Sequence, residues 1–335
     1  MYYSHYMSIA VKTILRKNHR KPVIMMIDID PYQIKQMDSR LLEWLSHKQN
    51  SNQLGTVHSV FDKVVNFISH DGVTLFSLAK NWVIQSPGMM KTCEDEGFSQ
   101  MLSVLKPGMP INLVGNCCLE INDWQWDFSN AVVWERDIAS LSQTKPDITA
   151  STLMLLNNFI EKYGAREGIF PAWKSFSDVS WEVPETTRKN IYFSPFLAGL
   201  EQLVKDIEGK KLENFMDRFV GLGIGLTPSG DDFLTGLLAT WQYFAFPLYK
   251  DFEPNQADLK GRTTDVSYFM LKHCLEGQVN EALLALLENL DGDPTPQLRQ
   301  LLAIGSTSGT DMLVGVSFAY QQLINDKEEK QWRLK

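Results

Sequence analysis

Two stretches of this chain read as helices that are apolar on nearly every face, and each opens on the same Ser-Gly-x-Asp turn. The first runs Ser229-Gly230-Asp231-Asp232 and continues through Phe233, Leu234, Leu237, Leu238, Trp241 and Phe244. The second runs Ser308-Gly309-Thr310-Asp311 and continues through Met312, Leu313, Val314, Val316 and Phe318. A helix with no polar stripe has to be buried, so the fold must enclose both helices and their first turns. Laying Gly230 on Gly309 superposes 227–236 on 306–315, with Ser, Gly, Asp, Leu and Gly shared. The offset of 79 residues is too long for a solenoid repeat. It fits a duplicated helical unit carrying one loop per copy.

The rest of the pattern changes period once. Residues 1–21 read as a tail, Pro22–Asp30 as a short strand, and Met37–His47 as an amphipathic helix with Leu41, Leu42 and Leu45 inward. From Gly55 to about Asp137, short Val-, Ile-, Phe- and Trp-rich runs are punctuated by Gly, Pro, Asn and Asp. The predicted strands are Thr56–Ile68, Val73–Ser77, Asn81–Ile84, Ile111–Val114, Cys118–Ile121 and Ala131–Trp134, with a helix over Glu94–Leu105. That spacing predicts a small barrel or sandwich. After a polar connection at 139–150 the period becomes 3.6, beginning with Leu153, Leu156 and Ile160. Residues 165–190 read as an irregular loop, Ser194-Pro195 as a capped helix start, and Leu283, Leu286, Leu287 and Leu290 as one stripe. The predicted class is α+β: a β-rich domain at 22–145, a helical domain at 146–325 and a C-terminal tail at 326–335.

A net charge of −8 on 335 residues argues against phosphate-backbone binding, which needs a surplus of Lys and Arg on one face. No apolar run approaches a membrane span, and the four cysteines form no disulfide framework. The expectation is a cytoplasmic protein whose partners include neither nucleic acid nor membrane.

Ser-x-x-Asp is close to a capping box, so the plain account of Ser229–Asp232 and Ser308–Asp311 is two well-capped helices. Three features point beyond it. The helices are buried, which puts Asp232 and Asp311 at the bottom of a cleft. Gly236 and Gly315 lie one turn after those acids, leaving room for a backbone or a ligand. Gly221, Gly223 and Gly225 alternate before the first loop and favour close backbone approach. The candidate ligand-binding set is Gly223, Gly225, Thr227, Ser229, Gly230, Asp231, Ser306, Ser308, Gly309 and Thr310. Helix N-termini favour anions, but the adjacent acids Asp231-Asp232 weaken that potential. Either the carboxylates accept N–H groups of an amide or carbamoyl ligand, or a hard cation such as Mg²⁺ sits on Asp231 and Asp232 and bridges to an anion.

The run Gly221-Leu222-Gly223-Ile224-Gly225-Leu226-Thr227-Pro228-Ser229-Gly230-Asp231-Asp232-Phe233-Leu234-Thr235-Gly236 resembles the signature of the AllH family, named for a subunit of bacterial oxamate carbamoyltransferase. Ala303 through Gly315 is similar to its second signature, and weaker likeness extends through Val57–Phe61, Val65-Asn66-Phe67 and Leu105–Gly108. The resemblance covers roughly 50–325. It implies a part in allantoin-type purine breakdown, where oxalurate and phosphate give oxamate and carbamoyl phosphate, and it implies other subunits as partners. On it, the ligand is a small carbamoyl or acyl compound, or its phosphate. The alternatives are a non-catalytic binding or assembly subunit and a stand-alone metal-dependent hydrolase.

Outside the loops, His58 is a candidate acid or base, set against a satisfied strand histidine with no acidic partner foreseeable. Asn66 is a candidate amide ligand, set against an edge-strand position. His273-Cys274 reads as core packing, Thr263, Thr264 and Ser267 as ordinary capping, and Asp326–Glu329 as a solvated tail.

Overall fold

A computed structural model describes residues 32–48, 53–142, 144–250, 252 and 259–333. The tail at 1–21 and the strand read at Pro22–Asp30 lie outside the described residues.

The β-rich half closes on itself. Its elements in chain order are β1 (Tyr32–Asp38), α1 (Ser39–Ser46), β2 (Gln53–Val60), β3 (Val64–Ser69), β4 (Leu75–Ala79), β5 (Met89–Thr92), α2 (Asp95–Leu102), β6 (Pro110–Val114), β7 (Cys118–Ile121), β8 (Trp124–Asp127) and β9 (Val132–Trp134). Hydrogen bonding runs β5-β4-β3-β2-β6-β7-β8-β1, and β1 pairs back onto β5, so eight strands form a barrel. β9 pairs in parallel with the C-terminal end of β1, and β8 with its N-terminal end. An eight-stranded barrel is just wide enough for side chains to fill. Here Met37, Phe67, Phe76, Met90, Phe98 and Trp126 fill it, so the interior is core and ligand space has to lie outside.

Three sequence expectations change. The run Thr56–Ile68 is a hairpin rather than one strand: the Phe61 N–H donates to Val64 O at 2.9 Å, and Asp62 and Lys63 form the exposed turn. Asn81–Ile84 is a turn, because the Asn81 N–H is taken by the Asp95 carboxylate at 3.0 Å instead of a strand partner. β1, β5 and β8 were not foreseen. β5 and β8 are four residues each, too short to show a period.

The second half is helical: α3 (Ala150–Tyr163), α4 (Phe170–Ser177), α5 (Glu185–Arg188), α6 (Phe193–Glu208), α7 (Ser229–Phe244), α8 (Asp265–Leu275), α9 (Glu281–Glu288), α10 (Thr295–Leu302) and α11 (Ser308–Arg333). The loop expected over 165–190 contains α4 and α5. α6 starts at Phe193 with Tyr192 as its uncapped N-terminal neighbour, so Ser194-Pro195 falls inside its first turn. The expected C-terminal tail is instead the end of α11.

α7 and α11 form the centre, and both opening glycine patterns have a packing cause. A Cβ on Gly236 would lie 1.9 Å from Met312 O, and one on Gly315 would lie 2.1 Å from Phe233 O. Met312 and Phe233 occupy equivalent places in the aligned repeats, as do the two glycines. The two contacts therefore exchange under a local twofold between the helices. The room these glycines leave is filled by the other helix's backbone. Phe233, Leu234, Leu237, Leu238 and Trp241 are completely buried around this contact, each contributing about 1.5–3 kcal/mol of transfer free energy or more.

Candidate functional site

The barrel and the helices enclose a cavity of about 520 Å³, within the size range of small-molecule sites. Asn66 and Ser77 come from the barrel, Trp82 and Pro87 from the turn before β5, and Asp232, Phe269 and His273 from α7 and α8. Thr227 and Ser308, one from each duplicated loop, complete the wall and face one another at 3.0 Å between hydroxyls. The two loops thus meet at one place.

The capping box read at the first loop does not form. Pro228 occupies the N-cap of α7, Ser229 is the first helical residue, and no side chain caps the helix. Asp232 is released from that duty. It has no exposed surface, and neither of its carboxylate oxygens has a hydrogen-bond partner. The Thr227 and Ser308 hydroxyls lie beside it and favour its ionised form; the bond between them uses one of their two hydrogens, and neither is in bonding geometry with the carboxylate. Burial, and next the charge of Asp311, hold the Asp232 carboxyl well above the usual carboxylate range.

Asp311 lies behind that wall. Its Oδ1 accepts the Ile169 N–H at 2.9 Å, while Oδ2 has no hydrogen-bond partner. Burial pushes its pKa up to about 7 against the Ile169 N–H and the nearby Ser229 and Thr307 hydroxyls. The serines cross over: Ser229 of the first loop lies by Asp311, and Ser308 of the second by Asp232. Gly168 permits the approach of the 164–169 turn, since its φ is +65° and a Cβ there would sit 2.4 Å from Asp311 Oδ1.

The remaining sequence candidates sort by position. Asp231 does not face the cavity: its Oδ1 accepts the Gly221 N–H at 2.8 Å, and its Oδ2 accepts the Thr263 hydroxyl. Thr310, its counterpart, accepts the Ala165 N–H at 2.9 Å. Both side chains staple loops. Gly230 and Gly309 are packed against Phe219 O and Leu301 O, where a Cβ would lie 2.0 and 1.9 Å away. Gly223 and Gly225 hold φ of 126° and 97°, a left-handed requirement of the loop itself. Ser306 is exposed at the second loop.

Two of the expected chemistries find little support in these donors. The helix-start amides of 230–232, and those of 309 and 311, donate within their own loops, so they are not free for an anion. Among the described residues no three His, Cys, Asp or Glu side chains converge to hold a metal. Asp231, with both oxygens engaged, does not fit a cation shared with Asp232.

The sequence reading passed over several residues of the wall. His273 lines the cavity instead of packing in the core; its Nδ1 lies 2.9 Å from Gln278 Oε1, and burial lowers its pKa. Cys274 is core as expected, with its thiol pushed up to about 12 by burial. Lys63 is the one lysine or arginine among the described lining residues, with Nζ 5.1 Å from the Trp82 ring centroid. Thr264 caps α8 as read, accepting from the Ser267 N–H. His58 has an acidic partner after all: its Nε2 lies 3.3 Å from Asp265 Oδ2, supplied from 207 residues away.

Among the described residues, no helix is long and apolar enough to cross a membrane. No solved structure matches the chain. Residues 33–133, the barrel, match the AllH family N-terminal domain, and residues 219–320, with both loops, match the oxamate carbamoyltransferase subunit AllH. The first match takes in β1 and α1, which the resemblance in the sequence did not reach. With both its halves matched in order, the chain belongs to the AllH family.

Proposed function

We propose that this chain is the subunit of an oxamate carbamoyltransferase-type complex that binds the carbamoyl compound, in the cavity between barrel and helices. The observation that carries this reading is Asp232, an aspartate with no exposed surface and two unpartnered carboxylate oxygens on a cavity wall. A buried polar group without a partner is costly, and a carbamoyl NH₂ offers the two donors that a carboxylate can accept. Burial holds the Asp232 carboxyl toward its protonated form, and a ligand that donates N–H groups favours the anion and draws that pKa down. Asn66 and Ser308 offer further hydrogen bonds. Lys63 gives the positive charge that the carboxylate of oxalurate, or phosphate, requires. The reaction is phosphate-dependent cleavage of oxalurate to oxamate and carbamoyl phosphate, with other subunits as partners.

The test has two arms. Oxalurate or oxamate added to the isolated chain should raise its melting temperature, following RT ln(1 + [L]/Kd). The chain reconstituted with its partner subunits should cleave oxalurate only when phosphate is present. Stabilisation of the chain without turnover in the complex would leave a binding-only subunit, and neither effect would end the reading. A stand-alone metal-dependent hydrolase draws no support from the saturated Asp231.

A further inference from the structure

Holding a carbamoyl compound would occupy Asp232, Asn66, Ser308 and Lys63 and would leave most of the cavity wall without a task. Val266, Phe269 and Met270 line the cavity, and their spacing puts all three on one face of α8. Val83, Ile84 and Pro87 line it from the turn before β5. Of these six only Phe269 is buried; the other five keep accessible apolar surface. Trp82, on the same wall, is 56% exposed. Water against an apolar wall is favourably displaced by an apolar group that fits it. The volume of about 520 Å³ lies in the range that encloses drug-sized molecules. Oxalurate is far smaller and bears nitrogen or oxygen on every carbon, so it has nothing to set against this surface.

The polar groups of the wall divide by depth. Asp232, in the first turn of α7, has no exposed surface, whereas Lys63 lies in the exposed turn between β2 and β3. At that outer end charge and ring stand together, with Lys63 Nζ 5.1 Å from the Trp82 ring centroid. A ligand matched to this wall offers N–H donors at its inner end and, at its outer end, a carboxylate beside an apolar group. N-carbamoyl amino acids have this order: the carbamoyl NH₂ and N–H, then a carbon that bears both the carboxylate and the side chain. Oxalurate shares the carbamoyl end and the carboxylate, but a carbonyl stands where the side chain would be attached.

From this arrangement we propose that the cavity is a site for N-carbamoyl amino acids with a large apolar side chain, the side chain lying against the apolar wall that Trp82 and α8 line. The placing of the carbamoyl end on Asp232 rests on the function proposed above; the apolar subsite rests on the wall alone. The carbamoyl NH₂ and N–H donate to the Asp232 carboxylate, the ligand's own carboxylate meets Lys63, and the side chain covers surface of Trp82, Val266 and Met270. A phenylalanine side chain suits the wall because its ring packs on an aromatic partner and withdraws a large apolar area from water. Its transfer free energy corresponds to about tenfold to a hundredfold in affinity.

Titration calorimetry on the full chain with N-carbamoylphenylalanine, N-carbamoylglycine, hydrocinnamate and oxalurate tests the proposal. N-carbamoylphenylalanine should bind about tenfold to a hundredfold more tightly than N-carbamoylglycine, and more tightly than hydrocinnamate, which has the ring and the carboxylate but no carbamoyl group. Trp82→Ala and Met270→Gln should each narrow the ratio of the two carbamoyl affinities; both fall on side chains that are not buried, and a melting curve checks that each variant is folded. Equal affinity for the two carbamoyl amino acids, or a ratio that neither substitution alters, overturns the apolar subsite, and binding of oxalurate in the same experiment leaves the carbamoyl site standing. Hydrocinnamate and N-carbamoylphenylalanine binding alike, both undiminished in Asp232→Ala, removes the carbamoyl end and with it the ligand class, while keeping the apolar subsite. Binding of none of the four overturns both.

Discussion

Replacing Asp311 with asparagine should stabilise the protein at neutral and alkaline pH and leave it unchanged in acid. Asp311 has no exposed surface and one unpartnered oxygen, and its pKa is about 7 against an ordinary 3.8. An acid raised in this way holds its proton more tightly folded than unfolded. Below about 3.8 both forms are protonated and the site costs nothing. As the pH rises, the unfolded chain ionises first, so stability falls from about 3.8 to about 7 and levels off above that window. At 1.36 kcal/mol per pKa unit the full penalty is about 4 kcal/mol. Asparagine keeps an oxygen for the Ile169 N–H and carries no charge to bury. With an unfolding entropy near 0.7 kcal/mol/K for a chain of this length, the gain corresponds to roughly 6 °C. Melting curves of Asp311→Asn and the unaltered protein at about pH 4 and pH 8 check it. A difference that is the same at both pH values, or that disfavours the variant at pH 8, would refute the electrostatic account of this site.

Other perturbations read other parts of the fold. Gly236→Ala drives a Cβ into Met312 O at 1.9 Å and should cost about 3 kcal/mol, whereas Gly72→Ala, with φ of +68° and nothing near it, should cost about 1 kcal/mol; denaturant midpoints compare them. If Asp232 meets ligand N–H groups, oxamate or oxalurate binding should release a proton, seen as a calorimetric heat that varies with the buffer's ionisation enthalpy, and Asp232→Ala should abolish both binding and release. A thiol reagent at about pH 8 should modify the exposed Cys93 and spare Cys274, which is buried with its thiol pushed up to about 12, until the protein is unfolded.

The parts of this fold that were legible in the sequence are those governed by local periodicity. α7 and α11 announced their burial because neither carries a polar stripe, and the strand-like runs with intervening turn residues marked a β-rich half, barrel or sandwich, without deciding its closure. Capping was misjudged because a helix start is decided by backbone torsion: Pro228, at φ −54° and ψ 142°, takes the cap and moves Ser229 into the helix. Contacts between distant segments left no local trace. Nothing near His58 foretells Asp265, and the amide that satisfies Asp311 comes from Ile169, in a segment with no discernible period. His273 looked like core because an apolar helix face and an apolar cavity wall have the same composition.

The duplication separates scaffold from candidate site once the copies are compared position by position. Gly230 N–H donates to Leu222 O and Gly309 N–H to Ile304 O; the glycines of α7 and α11 exchange contacts; Asp231 and Thr310 each accept a backbone amide from a neighbouring loop. These equivalences are what two stable helix starts need, and they account for most of the repeated residues without any ligand. The symmetry breaks at the paired acids. The 164–169 turn covers the second copy and gives Asp311 the Ile169 N–H, while among the described residues no donor bonds to Asp232, whose side of the axis opens on the cavity. A scaffold built twice would satisfy both acids alike, because an unpaired buried carboxyl weakens the fold. The copy that forgoes its partner is the one that the carbamoyl reading fills from outside the chain.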